Sequence, residues 1–182
     1  MNLFETKAGN TIVFDKHKYG NAMRMFDHAC DFSASADLLW ESYITKNDCI
    51  FDYAVPAVVY FAFSCEIFLK TLLLCHNISF KKIHNLEDLY KKLPDEIKGK
   101  IEQNIYNCYD VTEKYILDTE TLGEISNAFQ EWRYLYEKNE SILFSNTSLF
   151  MAFREVLREE CCQTIFGKTW SVYKEKNYGE IR

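Results

Sequence analysis

Glu66 and Lys70 are the first candidates for chemistry in this chain because both charges lie inside the apolar segment 54–75. They are four residues apart with the acid first, the favourable order for an ion pair on one helical face. A charge in an otherwise apolar helix needs a partner, and Arg133 in a later segment could point into the same pocket. Two interpretations are open: a polar site that acts on a ligand, or a salt-bridge network that fixes the helix register.

His84 lies just ahead of Asn85, which has the sequence context of a helix N-cap. Imidazole exchanges a proton near neutral pH, so His84 could reach the Glu66 pocket as a proton acceptor. It could equally bond a loop carbonyl and lock the turn. The interval 81–100 is also locally positive and could meet phosphates or an acidic protein, although a solvated helix face is the default for such a run. The lysines concerned are Lys81, Lys82, Lys91, Lys92, Lys98 and Lys100.

The elements that position these residues are predicted to be helices. The chain has 182 residues, 48% of them hydrophobic, with only 6 Gly and 2 Pro to break helices. We predict one all-α domain, an up-and-down bundle of about five to six helices. Apolar residues recur at helical spacing over the segments 20–44, 56–75, 86–93, 97–109, 122–136 and 149–165. The predicted limits are an N-terminal arm over 1–19 with a β-prone run at 11–14, the bundle over 20–166 and a polar tail over 167–182.

Composition narrows the functional classes. The formal net charge of -6 argues against a protein that coats nucleic acid through bulk charge. The N-terminus has no basic stretch followed by an apolar one, so we expect a cytoplasmic protein. Glu66 and Lys70 interrupt the apolar segment, so we expect a central bundle helix rather than a membrane span. The seven cysteines form no CxxC pair and are expected to behave as small buried hydrophobes. We predict neither a metal site nor a cofactor, since Cys75, His76, His84 and Cys108 lack the usual paired spacings of zinc ligands.

The order of several short motifs resembles the HEPN superfamily of small helical-bundle proteins. The motifs are CEIFLKTLLL in the second helix, the loop ending IHNLEDLYKKLP and the later helix FQEWRYLYE, and the resemblance covers roughly residues 20–165. It implies a bundle of four or five helices, often paired into a homodimer. Many members act in defence, toxin–antitoxin pairs or RNA processing, and the active ones cleave RNA without metal through an arginine and a histidine separated by four to six intervening residues.

Arg133 matches the arginine of that motif, but the histidine is missing. Lys138, Asn139 and Glu140 occupy the positions where it should fall, and Tyr134 replaces a small polar residue. Arginine can bind phosphate and stabilise developing charge but cannot accept a proton. The motif is therefore degenerate. Arg133 either binds phosphate or packs between aromatic rings and pairs with an acidic residue.

The resemblance and the residues together lead to two expected functions. The first is binding of RNA or nucleotide phosphate with unorthodox cleavage, in which Arg133 holds the scissile phosphate and His84 or Glu66 accepts the proton. The other phosphate-binding residues would be Lys70, Lys81 and Lys82. The second is a non-enzymatic interaction module that binds a partner protein such as a nucleotidyltransferase through the bundle surface.

Overall fold

The computed structural model describes residues 4–7, 11–14, 21–46, 53–108, 122–123, 126 and 147–178. This part of the chain is a helical bundle, which confirms the predicted all-α class. A two-stranded antiparallel hairpin precedes it, with Phe4 opposite Phe14. In chain order the elements are β1 (Phe4–Lys7), β2 (Thr11–Phe14), α1 (Asn21–Lys46), α2 (Val55–Cys75), α3 (Leu86–Lys91), α4 (Asp95–Cys108), α5 (Thr147–Phe166) and α6 (Trp170–Tyr178).

The second helix, α2, is the centre of the bundle. Pro56 lies in its first turn, where the missing N–H costs no hydrogen bond. The helix packs most extensively against α1 and then against α5. Phe61 and Phe68 are almost fully buried, and each such side chain contributes about 1.5–3 kcal/mol through removal from water. Twelve of its 21 residues are buried, and the less buried ones, such as Tyr60, Phe63 and Ile67, recur along one face.

α2 is also long and apolar enough to cross a membrane by length and composition, with a mean hydropathy of 1.8 over its most apolar window. Within the bundle 61% of that window is buried against other helices. A core helix passes the same test of length and composition. The packing of α2 is therefore that of a core helix, as its internal charges led us to expect.

The helices on either side of α2 bury the faces that the periodicity predicts. α1 buries Phe26, Ala29, Ser33 and Ala36 at steps of three and four. α5 buries an equivalent stripe made of Leu149, Phe150, Phe153, Val156, Leu157 and Cys161. Gly167 follows α5 with a φ of 63°, the left-handed conformation that glycine adopts at a helix C-terminus. The predicted stop at Gly167 is thus confirmed.

The segment after Gly167, predicted as a polar tail, contains a further helix. It forms α6, and its rings pack on the bundle. The Tyr173 ring lies 5.6 Å from that of Phe26 and 4.3 Å from that of Phe166, and the Trp170 ring lies 6.0 Å from Phe26. The chain as far as residue 178 therefore belongs to the bundle. Two aromatic residues one helical turn apart anchor α6, a pattern too short to show as amphipathic periodicity.

Four cysteines lie in the core, as expected of small hydrophobes. They are the buried thiols Cys30, Cys65, Cys161 and Cys162, and all four are free. Burial raises the pKa of each thiol, that of Cys162 to about 11. Cys75, at the end of α2, is partly buried.

Candidate functional site

The candidate site lies where α2 ends and the loop to α3 begins. α2 closes with Asn77 at a φ of 57°, a conformation that asparagine tolerates better than most residues. The Ile78 N–H donates to the Leu73 carbonyl at 2.8 Å, and the Asn77 N–H donates to the Leu74 carbonyl at 3.0 Å. This pair of bonds is a Schellman motif, which satisfies the last carbonyls of the helix. The loop therefore leaves α2 in a defined direction.

The other end of the loop is also held in place. The Ile83 N–H donates to the Phe80 carbonyl at 3.1 Å, closing a turn in which Lys82 has a φ of 66°. Asn85 then caps α3, since its side-chain oxygen accepts from the Asp88 N–H at 3.0 Å, as the sequence predicts. His84 lies between this turn and this cap. The loop backbone thus fixes where the imidazole can reach.

The Leu86 N–H, in the first turn of α3, donates to the Ser126 hydroxyl at 3.0 Å. Ser126 is buried and belongs to the segment 122–136, which was predicted as a helix; Leu122, Gly123 and Ser126 have helical backbone, and the rest of that segment lies outside the described residues. The start of α3 is therefore tied to a residue 40 positions later in the chain.

Glu66, Lys70 and His84 converge in the folded chain. One carboxylate oxygen, Oε1 of Glu66, lies 2.6 Å from Lys70 Nζ and 3.0 Å from His84 Nδ1. Exposure rises outward, from 5% for the Glu66 side chain through 15% for Lys70 to 65% for His84. The group is thus a buried carboxylate with a nearly buried ammonium and an imidazole open to solvent.

This geometry fixes the tautomer of a neutral His84. An ionised carboxylate only accepts hydrogen bonds, so the Nδ1 that lies 3.0 Å from Glu66 carries the proton. Lys70 Nζ is 3.5 Å from the same Nδ1, and two donors at that distance form no hydrogen bond with each other. Nε2 then carries the lone pair and has no hydrogen bond to any residue in the described part. The arrangement resembles the carboxylate–imidazole pairs in which the acid orients a base.

The lysines predicted to bind phosphate fall into two groups. Lys70 is engaged with Glu66 and also lies 6.0 Å from the Phe80 ring centroid. Lys81 and Lys82 are exposed on the same loop as His84 and make no ion pair with another described residue. Further along the positive interval, Lys91, Lys98 and Lys100 pair with Glu87, Asp95 and Glu96 respectively. Lys92 is also exposed and makes no ion pair with a described residue, so two of the three unpaired lysines of the interval lie within three residues of His84.

Arg133 lies outside the described residues, so its predicted approach to Glu66 stays a prediction. The structure contains one chain, so the predicted homodimer also stays a prediction. No group of three or more His, Cys, Asp or Glu that could hold a metal occurs among the residues described. The contacts of Glu66 give the described cluster an oriented imidazole beside the Lys70 charge.

A second ionic cluster was not predicted from the sequence. Arg154 of α5 has a side chain that is only 4% exposed, yet it donates to Asp37 of α1 at 2.6 Å, to Glu155 at 2.5 Å and to the Ser33 carbonyl at 3.3 Å. Its guanidinium carbon lies 4.7 Å from the Phe61 ring centroid. The cluster joins α1, α2 and α5, and its position in the core indicates a structural role.

The sequence did contain a signal for this cluster. Arg154 follows Phe150 by four residues and precedes Leu157 by three, so it lies on the apolar face of α5. Arg158, one turn later, pairs with Glu155 and lies 4.5 Å from the Trp170 ring centroid. A charge at a core-facing position predicts a buried partner in the same way as Glu66 does.

Comparison with known proteins adds no relative. No protein-family model matches the chain, and no curated protein or solved structure matches it.

Proposed function

We propose that the chain binds RNA or nucleotide phosphate at the loop between α2 and α3, and that His84 accepts a proton there during cleavage of the RNA backbone. The observation that supports this most directly is the 3.0 Å contact between His84 Nδ1 and the buried Glu66 carboxylate. The contact leaves Nε2 of an exposed ring as the basic nitrogen. The order of motifs shared with HEPN proteins supports the same class of reaction.

The reaction we propose is internal transesterification. Nε2 of His84 takes the proton of a ribose 2′-hydroxyl, and that oxygen attacks the adjacent phosphorus. The bond from phosphorus to the 5′-oxygen of the next nucleotide breaks, which leaves a 2′,3′-cyclic phosphate. The departing 5′-oxygen takes its proton from water. Glu66 keeps Nδ1 protonated, faces the positive charge that forms on the imidazole, and so acts as a positioning residue.

The surrounding lysines supply the phosphate-binding part of the proposal. Lys81 and Lys82 are exposed, carry charges unpaired within the described part, and lie within three residues of His84. Lys70 contributes through its charge beside Glu66 rather than by direct contact. Arg133 completes the site as the ligand of the scissile phosphate, in line with the HEPN resemblance. The same resemblance favours a homodimer whose cleavage needs no metal, and the proposed compartment is the cytoplasm.

Catalysis is tested with His84→Gln in an RNA degradation assay containing EDTA. General-base catalysis typically contributes about 10²–10⁴ in rate, so the variant should lose at least about 100-fold. His76→Gln is the matched control because His76 is an exposed histidine of the same loop. The cyclic phosphate end should be detectable by mass spectrometry. Equal rates for wild type and His84→Gln would refute the catalytic assignment.

Phosphate binding is tested separately by the salt dependence of RNA affinity. The double variant Lys81→Gln, Lys82→Asn removes both charges, and asparagine still accepts the left-handed backbone of position 82. If each lysine neutralises one phosphate, the slope of log affinity against log salt should fall by about 1.4 for single-stranded RNA. An unchanged slope would remove these lysines from the site.

A second candidate is the non-enzymatic interaction module, which binds a partner protein such as a nucleotidyltransferase through the bundle surface. It is favoured by the completeness of the Glu66–Lys70 pair, which braces α2 without any ligand. The exposed lysines would then meet carboxylates instead of phosphates. Absence of RNA affinity at low salt, where phosphate contacts are strongest, would favour this function over the first.

A further inference from the structure

A groove lies between α4 and α5, and Trp170 of α6 forms part of its wall. Its volume is about 640 Å³, and it is lined by Lys100 and Asn104 of α4, by Glu155, Glu159 and Glu160 of α5, and by Trp170 of α6. The groove is built from residues other than the Glu66 cluster. Its carboxylates outnumber its one lysine, so it presents the opposite charge to the loop that carries Lys81 and Lys82.

Most of the charges that line the groove already have partners. Glu155 is bound by two arginines of its own helix. Glu159 accepts a hydrogen bond from the backbone N–H of Trp170 at 2.8 Å, a contact that seats α6 against α5. Lys100 pairs with Glu96 at 2.8 Å along α4. These groups form the walls of the groove, but their charges are already engaged in contacts within the chain.

Glu160 is the exception. It is 6% exposed, it lines the groove, and it makes no hydrogen bond or ion pair with any residue in the described part of the chain. Burial raises the pKa of its carboxyl group, with Lys100 acting in the opposite direction. Most of the side chain is thus covered by the protein, while its carboxylate oxygens are open to the groove, where a ligand can reach them.

We propose that this groove binds a small organic cation whose ammonium or guanidinium group pairs with Glu160. A cation would supply the charge and the donors that the carboxylate lacks, and the pairing would be strengthened by its shelter from water. Asn104 on the opposite wall can orient a second polar group of the ligand. The volume suits a ligand of several carbon atoms rather than a single ion. The site does not rest on the RNA reaction.

The test is isothermal titration of the full chain with agmatine, which carries a guanidinium at one end and an ammonium at the other. Glu160→Gln should weaken binding at least tenfold, because it removes a buried charged partner. Glu175→Gln is the matched control, since it makes the same change of charge at an exposed position of α6, and it should leave the affinity unchanged. No binding at millimolar agmatine, or equal affinity in Glu160→Gln, would overturn the proposal.

A second variant keeps the test decisive if Glu160→Gln does not fold. Asn104→Arg brings a guanidinium into the groove opposite Glu160 and should abolish agmatine binding while leaving the melting temperature unchanged or higher. Unaltered agmatine binding in Asn104→Arg would contradict the site.

Titration with a short arginine-containing peptide separates the possible sources of the cation. Tighter binding of agmatine supports a free amine, and tighter binding of the peptide refutes the small molecule in favour of a polypeptide side chain.

Discussion

Removal of the Lys70 charge should destabilise the chain more than removal of the Glu66 charge. In Lys70→Met the Glu66 carboxylate, whose side chain is 5% exposed, keeps only its contact with His84. Loss of one partner of a buried pair costs about 3–5 kcal/mol. Since His84 remains and Lys70 itself is 15% exposed, we take the lower end and expect a loss of about 3 kcal/mol.

Glu66→Gln should cost less. The amide oxygen can still accept a hydrogen bond, and the Lys70 side chain can move its ammonium towards water along its flexible stem. We expect a loss of about 1.5 kcal/mol in the free energy of unfolding. The double variant Glu66→Gln, Lys70→Met has no stranded carboxylate and should be more stable than Lys70→Met alone.

The assay is urea unfolding of the four proteins, followed by circular dichroism at constant pH and salt. With a slope of about 2 kcal/mol per molar urea, the Lys70→Met midpoint should fall by about 1.5 M and the Glu66→Gln midpoint by about half as much. The reasoning is refuted if Lys70→Met is no more damaging than Glu66→Gln, or if the double variant is less stable than Lys70→Met. Either result would mean that the carboxylate is well solvated without Lys70.

Three further predictions concern other parts of the bundle. Burial and the Asp31 carboxylate raise the pKa of Asp27, so this acid favours the folded state at low pH and that contribution is lost as pH rises through its native pKa. Asp27→Asn should therefore raise the melting temperature at pH 7 but not at pH 3. Cys75 should be alkylated by iodoacetamide at pH 8 before the four buried thiols, which mass spectrometry should find modified only after denaturation. Arg154→Met should cost at most about 2 kcal/mol in urea unfolding, because the Asp37 side chain is 45% exposed and stays hydrated when the guanidinium is removed.

Much of the fold follows from the sequence because apolar periodicity reports which face of a helix is buried. The buried faces of α1 and α5 follow from their spacing, and the central place of α2 follows from its high apolar content. Local chemistry also sets helix ends, since Asn85 supplies a cap and Gly167 a left-handed residue without side-chain strain. The spacing of Glu66 and Lys70 likewise predicts their ion pair, which needs only one turn of helix.

The packing of α6 could not be read in this way. Trp170 and Tyr173 stand among polar residues, and periodicity needs more than two positions to be recognised. What decides their burial is the Phe26 ring on α1, more than 140 residues earlier in the chain. The position of so short a helix is set by the surface on which it packs.

Sequence alone determined that the chain is a helical bundle with charges inside its central helix, because those properties depend on neighbours three or four residues away. Only the tertiary structure decided what the charges meet. The contact between Glu66 and His84 depends on the path of a loop with two left-handed residues, and that between Arg154 and Asp37 on the packing of α5 against α1. The lack of a partner for Glu160 within the described residues is equally a property of packing, since the sequence shows only one carboxylate among many. Periodicity identifies the buried face of a helix, but only the fold shows which residues of other elements contact that face.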